Sequence, residues 1–183
     1  MKLYFLRHGE SQANLEKVYA RPDAKLTDRG REQAREAGLA IRSLGITRIL
    51  ASDYRRTVDT ARIASEAAGL SASIISLEPR LRELGVGDLV GQTSRGVAGY
   101  LDHQADSNGD ENVEPLSEAE ARLSSLIESV ARYQEDNILL VGHTGSGTIL
   151  LGLLTGDHSN PGERVLLPNA RIIEFPNPVG VAL

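Results

Sequence analysis

A chain of 183 residues with no cysteine, a net charge of −5 and 40% hydrophobic residues fits a single domain spanning 1–183, large enough to bury a core without covalent staples. The lack of cysteine excludes disulfides, zinc–thiolate sites and iron–sulfur clusters, and the negative charge argues against non-specific nucleic-acid binding. No apolar stretch approaches the roughly 18 residues of a membrane span and no basic-then-apolar leader precedes the first strand, so the expectation is a soluble, cytoplasmic protein with no membrane partner. Nothing in the composition speaks to oligomeric state.

KLYFL, residues 2–6, is an apolar run of strand length, and Arg7-His8-Gly9 stands where that strand meets its loop. Next, Ala34, Ala37, Ile41 and Leu44 fall at helical spacing behind Thr27 as N-cap. RILA, 48–51, predicts a short strand. Ser52 then caps a second helix, whose Val58, Ala61, Ala64 and Ala68 form a narrow apolar stripe. SIISL, 73–77, predicts a third strand. Residues 85–113 keep no sustained period and are rich in Gly, Asp and Asn, which predicts loop and a lid-like insertion over about 85–115. Leu116 precedes a capping box, Ser117 with Glu120, opening a helix that carries Leu123, Leu126, Ile127, Val130 and Tyr133. NILLVG, 137–142, is the clearest buried strand. A glycine turn and the helix TILLGLL, 148–154, follow, stopped by Gly156. RVLL, 164–167, and RIIEF, 171–175, predict two closing strands. Strands alternating with helices imply an α/β fold, a three-layer α/β/α sandwich around a mostly parallel central sheet.

Two strand ends carry histidine beside glycine, Arg7-His8-Gly9 and Gly142-His143-Thr144-Gly145. Parallel strands present their C-terminal ends on one side, so His8 and His143 are expected across one crevice. Arg55 and Arg56 fall in the first turn of the second helix, where cations oppose the helix dipole. Two histidines, several arginines and glycine-flanked backbone amides suit a phosphoryl group, whose oxygens match guanidinium forks and free amides. Taken singly, each feature has a plainer reading as packing, turn or solvated helix face. The four histidines, His8, His103, His143 and His158, show no metal-ligand spacing.

These stretches together resemble the histidine phosphatase superfamily, also called phosphoglycerate mutase-like. FLRHGES matches its Arg-His-Gly-Glu-Ser/Thr signature, with Asn14 where the family has asparagine. LTDRGREQA, 26–34, matches Leu-Thr-x-x-Gly-x-x-Gln-Ala. SDYRRTVDTA, 52–61, resembles Ser-Asp-Leu-x-Arg-Ala-x-x-Thr-Ala and selects Arg56 over Arg55. LRELGVGDLVGQ, 81–92, is similar to Leu-x-Glu-x-x-x-Gly-x-x-x-Gly and puts Glu83 at the family's proton donor. LLVGHTG looks like the motif of the second catalytic histidine, and LPNARIIEF resembles the closing strand. The resemblance implies that His8 attacks phosphorus in line and forms a phosphohistidine. Arg7, Asn14, Arg56, His143 and Thr144 would hold the phosphoryl group. Glu83 would protonate the leaving oxygen and then activate water. Neither metal nor cofactor is implied, because the cations are built in, and Gly9 would leave room for the phosphate.

The sequence also departs from the family. Asp88, Leu89 and Val90 replace the aromatic and acid usual between Gly87 and Gly91. Val113, Glu114 and Pro115 align with a Gly-Glu-Ser motif, and the segment between Asn14 and Asp23 is about one residue short, so that a basic residue of the family there is Lys17, Arg21 or missing. The lid-like stretch holds Arg95 as its one basic residue against Asp88, Asp102, Asp106, Asp110, Glu111 and Glu114. A second phosphate would find little there. The expectation is therefore a metal-independent phosphatase acting on a small phosphomonoester, with a cofactor-dependent phosphoglycerate mutase as the alternative. A catalytically idle phospho-ligand binding module on the same fold, or a phosphatase of phosphoproteins, ranks below both.

Overall fold

Successive residues of the central strands point to opposite faces, and in this chain both sets are apolar. The computed structural model describes residues 2–95, 97–99, 112–133, 137–157, 159 and 167–178. Leu3 and Phe5 of β1 (Lys2–Arg7) face one helical layer, and Tyr4 and Leu6 face the other. In β4 (Asn137–Gly142), Ile138 and Leu140 join the first set, Leu139 and Val141 the second. With β2 (Arg48–Ala51), β3 (Ile75–Leu77) and β5 (Ile172–Phe175) they form a five-stranded sheet in the order β3-β2-β4-β1-β5. It is parallel except for β5, which runs antiparallel to β1 at one edge. The expected mostly parallel α/β architecture is the one observed.

One layer consists of α2 (Asp28–Ile41) and α3 (Arg55–Ala68). Small residues let these helices approach closely. A Cβ on Gly38 would lie 2.4 Å from the carbonyl oxygen of Ala64, inside van der Waals contact. The opposite layer consists of α4 (Leu116–Val130) and α5 (Thr144–Thr155), whose Leu123, Leu126, Ile149 and Leu150 bury against the sheet. A five-residue α1 (Gln12–Glu16) follows β1, between them the N-cap Ser11.

Several local expectations are corrected. Helix α3 opens at Arg55 with Tyr54 as N-cap and no side-chain cap; Ser52 lies outside it, its hydroxyl turned to His143 at 2.9 Å. Helix α4 starts two residues early, at Leu116 behind Pro115, without the Ser117–Glu120 box, since proline presets the backbone there and the box falls inside the first turn. The supposed glycine turn after β4 is the first turn of α5. The first two residues of the third predicted strand, 73 and 74, belong to a 3₁₀ turn (Ala72–Ile74), leaving Ile75–Leu77 as a short edge strand. Tyr133 lies beyond α4, beneath the guanidinium of Arg48 at 4.2 Å. Thr27 does cap α2, accepting from Gly30 N at 3.0 Å, and Gly156 does end α5. Most of RVLL, most of the acidic part of the lid-like stretch, His103 and His158 lie outside the described residues.

Candidate active site

The register of β1 against β4 builds the site. Arg7 pairs with Gly142 and His8 N donates to Gly142 O at 3.0 Å, so His8 and His143, next along each strand, become neighbours. Their ring centroids lie 5.2 Å apart. Ser52, at the end of β2, completes the row through its N–H bond to Val141 O. This is the side of a parallel sheet where ligands bind.

Arg56, buried in the first turn of α3, ties both rings together. Its Nε donates to His8 Nε2 at 3.1 Å, one terminal nitrogen donates to His143 Nδ1 at 3.0 Å, and the other to Arg21 O at 3.1 Å. A guanidinium only donates, so both ring nitrogens it meets carry lone pairs. His8 therefore holds its proton on Nδ1, 2.7 Å from Gly9 O, and His143 holds its own on Nε2, directed at Ser52 Oγ. Both rings are neutral. Burial, followed by the Arg56 guanidinium, pushes each well below the ordinary 6.5.

Arg7 donates to Leu167 O at 2.7 Å, while its buried Nε has no hydrogen-bond partner among the described residues. Burial lowers the pKa of both arginines, and the Glu83 carboxylate opposes that shift. A buried donor left open costs stability; an anion oxygen would satisfy it. Arg55, by contrast, is exposed and paired with Asp59 at 3.0 Å.

Glu83 sits across the same cavity. Its carboxylate accepts from Leu84 N at 3.0 Å and from Gly145 N and Ser146 N at 3.2 Å, at the start of α5. A Cβ on residue 145 would stand 2.5 Å from Glu83 Oε1, which explains the glycine. The segment bearing Glu83 is fixed by Arg122 of α4. That guanidinium donates to the carbonyls of Arg80, Arg82 and Glu83 and pairs with Glu114 at 2.6 Å. Glu114 accepts from Gly85 N in turn.

Two expectations about glycines are corrected. The amides beside them are committed within the protein: Gly9 N donates to Thr60 Oγ1 at 3.1 Å, and Gly145 N to Glu83. Gly9 itself serves packing, since a Cβ there would meet Gly30 O at 2.3 Å. Asn14 and Thr144 line the cavity, whereas His143 is not among its described lining residues. The Oδ1 of Asn14 is occupied by Ser11 N and by Asn169 Nδ2, leaving its Nδ2 to face a ligand. Lys17 lines the cavity too, whereas Arg21 contributes its backbone carbonyl. The sequence reading missed Ser52, Tyr54, Thr60, Arg122 and Asn169. Asn169, which donates to His8 O at 2.9 Å, lay inside a quoted stretch; its signal was an asparagine in a proline turn, ahead of Ala170 at φ 53°.

Arg7, His8, Asn14, Arg56, Glu83 and Thr144 line a cavity of about 610 Å³. The profile of the histidine phosphatase superfamily (branch 1) matches residues 3–176. A probable phosphoglycerate mutase from Erwinia tasmaniensis is 32% identical over 181 residues, 94% of this chain and 83% of that one. Another from Enterobacter is 47% identical over 90 residues, 49% of this chain and 40% of its own length. Among solved structures, a mycobacterial glucosyl-3-phosphoglycerate phosphatase in complex with VO3 is 27% identical, with a TM-score of 0.75 and 93% of this chain and 88% of that chain covered. The alpha-ribazole phosphatase of Shigella flexneri is 25% identical, with a TM-score of 0.79 and 94% and 88% covered.

Proposed function

Because this chain belongs to the histidine phosphatase superfamily (branch 1), we propose that it hydrolyses a small phosphomonoester without a metal ion, through a phosphohistidine on His8. The observation that carries this reading is the neutral His8, which lines the cavity with Arg7 and Arg56 and whose Nε2 keeps a lone pair, held by the Arg56 guanidinium. A phosphoryl dianion entering there satisfies the open Arg7 Nε and draws Arg56 away from His8 Nε2. The freed lone pair attacks phosphorus while Gly9 O holds the Nδ1 proton. The P–O ester bond breaks, and Glu83, whose carboxylate takes up a proton when the ester binds, gives that proton to the departing alkoxide. Glu83 then takes a proton from water, whose oxygen attacks phosphorus, breaks the P–N bond and returns His8 with inorganic phosphate. Charge stabilisation by the two arginines dominates both halves. His143 accepts from Arg56, so it fixes that guanidinium.

Hydrolysis is favoured over mutase chemistry by the rest of the cavity. A mutase must hold a second phosphate, and apart from Arg7 and Arg56 the one lysine or arginine among the described lining residues is the exposed Lys17. The test is hydrolysis of para-nitrophenyl phosphate with chelator present, comparing the native protein with His8→Ala. Turnover should survive chelator and vanish with His8. Turnover that chelator abolishes would overturn the metal-free reading, and interconversion of phosphoglycerates primed by a bisphosphate, with no hydrolysis, would make the chain a mutase.

A further inference from the structure

The cavity is far larger than a phosphoryl group needs. Beside the charged cluster, its described lining includes Val18, Val86, Val90 and Val97 and the rings of Tyr19 and Tyr54. Two stretches of backbone lock this wall together: Tyr19 N donates to Gln92 O, Gly91 N to Tyr19 O and Ser94 N to Lys17 O, each at 2.9 Å. Tyr54 is held in place by its edge-on contact with His143 and by the Arg56 and Arg82 guanidinium groups over its ring. The wall is therefore built before any ligand arrives.

Outside the charged cluster the described lining side chains are mostly apolar, the four valines with Ala13, Ala20, Pro22 and Leu84, and the polar ones are Asn14, Lys17, Ser94, Thr144 and the two tyrosines. A polyol leaving group laid on the valines loses water without replacement bonds there, whereas an apolar one gains from the same burial. Resting on the phosphatase reading, we infer that the substrate is the phosphomonoester of an apolar alcohol, aromatic or alicyclic, rather than of a sugar, a glycerol or a hydroxy acid. The strip at Asp88–Val90 fits this class: Val90 turns into the cavity, while Leu89 is buried in the core and Asp88 is exposed.

Two measurements on the native protein test this apart from the reading it rests on. The first is calorimetric binding of 2-phenylethylphosphonate against 3,4-dihydroxybutylphosphonate. Neither can be hydrolysed, so binding is read whether or not the protein turns over. The phenyl compound should bind at least tenfold tighter; equal or reversed affinities would overturn the inference even if para-nitrophenyl phosphate is hydrolysed. The second compares kcat/KM for benzyl phosphate and glycerol 3-phosphate, both of which expel a primary alkoxide. A ratio of tenfold or more for benzyl phosphate, narrowed in Val86→Asn and in Val90→Asn, supports the apolar class. Parity between the esters would overturn it while leaving the phosphatase standing. Absence of hydrolysis with tenfold tighter phenyl binding would instead overturn the phosphatase and retain the apolar site.

Discussion

Arg55 and Arg56 are adjacent in sequence and opposite in circumstance. Arg55 faces water and pairs with Asp59 four residues on, a kind of contact that contributes only tenths of a kcal/mol. Arg56 is buried with its donors on His8, His143 and Arg21 O. Arg56→Ala should lower kcat for a phosphomonoester by about 10²-fold or more, the scale of losing one donor that stabilises transition-state charge. Arg55→Ala should change it less than about threefold, a shift under 1 kcal/mol. Steady-state kinetics on both variants decides this, and equal losses would contradict the roles assigned to the pair. The sequence singled out Arg56 by its motif position. It could not show that one guanidinium fixes the tautomers of two histidines 135 residues apart, because tautomers follow from partners in space.

At the scale of elements, the two acidic and basic groups that hold the Glu83 segment come from a helix and loop far along the chain. Arg122 on α4 reaches three carbonyls of the 80–83 segment and the Glu114 carboxylate. It touches no reacting atom and is a positioning residue. Arg122→Met should therefore slow esters that need their leaving oxygen protonated, toward the ~10²-fold scale of general-acid catalysis, while an activated aryl phosphate is nearly unaffected. The measurement is kcat across leaving groups of graded pKa. A uniform loss for all esters would reduce Arg122 to a merely structural part. Glycine spacing explains other element contacts: Gly9 and Gly30 let the β1 loop lie on α2. Sequence reasoning took Gly9 for a phosphate neighbour because glycine serves close approach of any kind, and only the packing tells which partner approaches.

At the scale of the whole molecule, folding seals two neutral histidines beneath the sheet ends, and stability must record it. Both have pKa values pushed well below 6.5 by burial first and Arg56 next. The unfolded chain then binds more protons than the folded one as pH falls below about 6.5, so stability is full above pH 7 and is lost toward acid. Two such groups should cost about 2–3 kcal/mol by pH 5.5. Urea unfolding at pH 7.5 and 5.5 should show this drop in the native chain and a clearly smaller one in a His8→Gln, His143→Gln variant; identical drops would remove the histidines as its cause. The sequence alone determined the alternation of strands and helices, the two apolar faces of β1 and β4, and the residue types of the site, because periodicity and local chemistry are written in neighbouring residues. Tertiary structure decided the rest: which nitrogen of each histidine is bare, that the glycine amides are already taken, that Arg122 holds Glu83, and that the cavity lining outside the charged cluster is mostly apolar. Each depends on strand register and helix crossing, which bring together residues that no local pattern links.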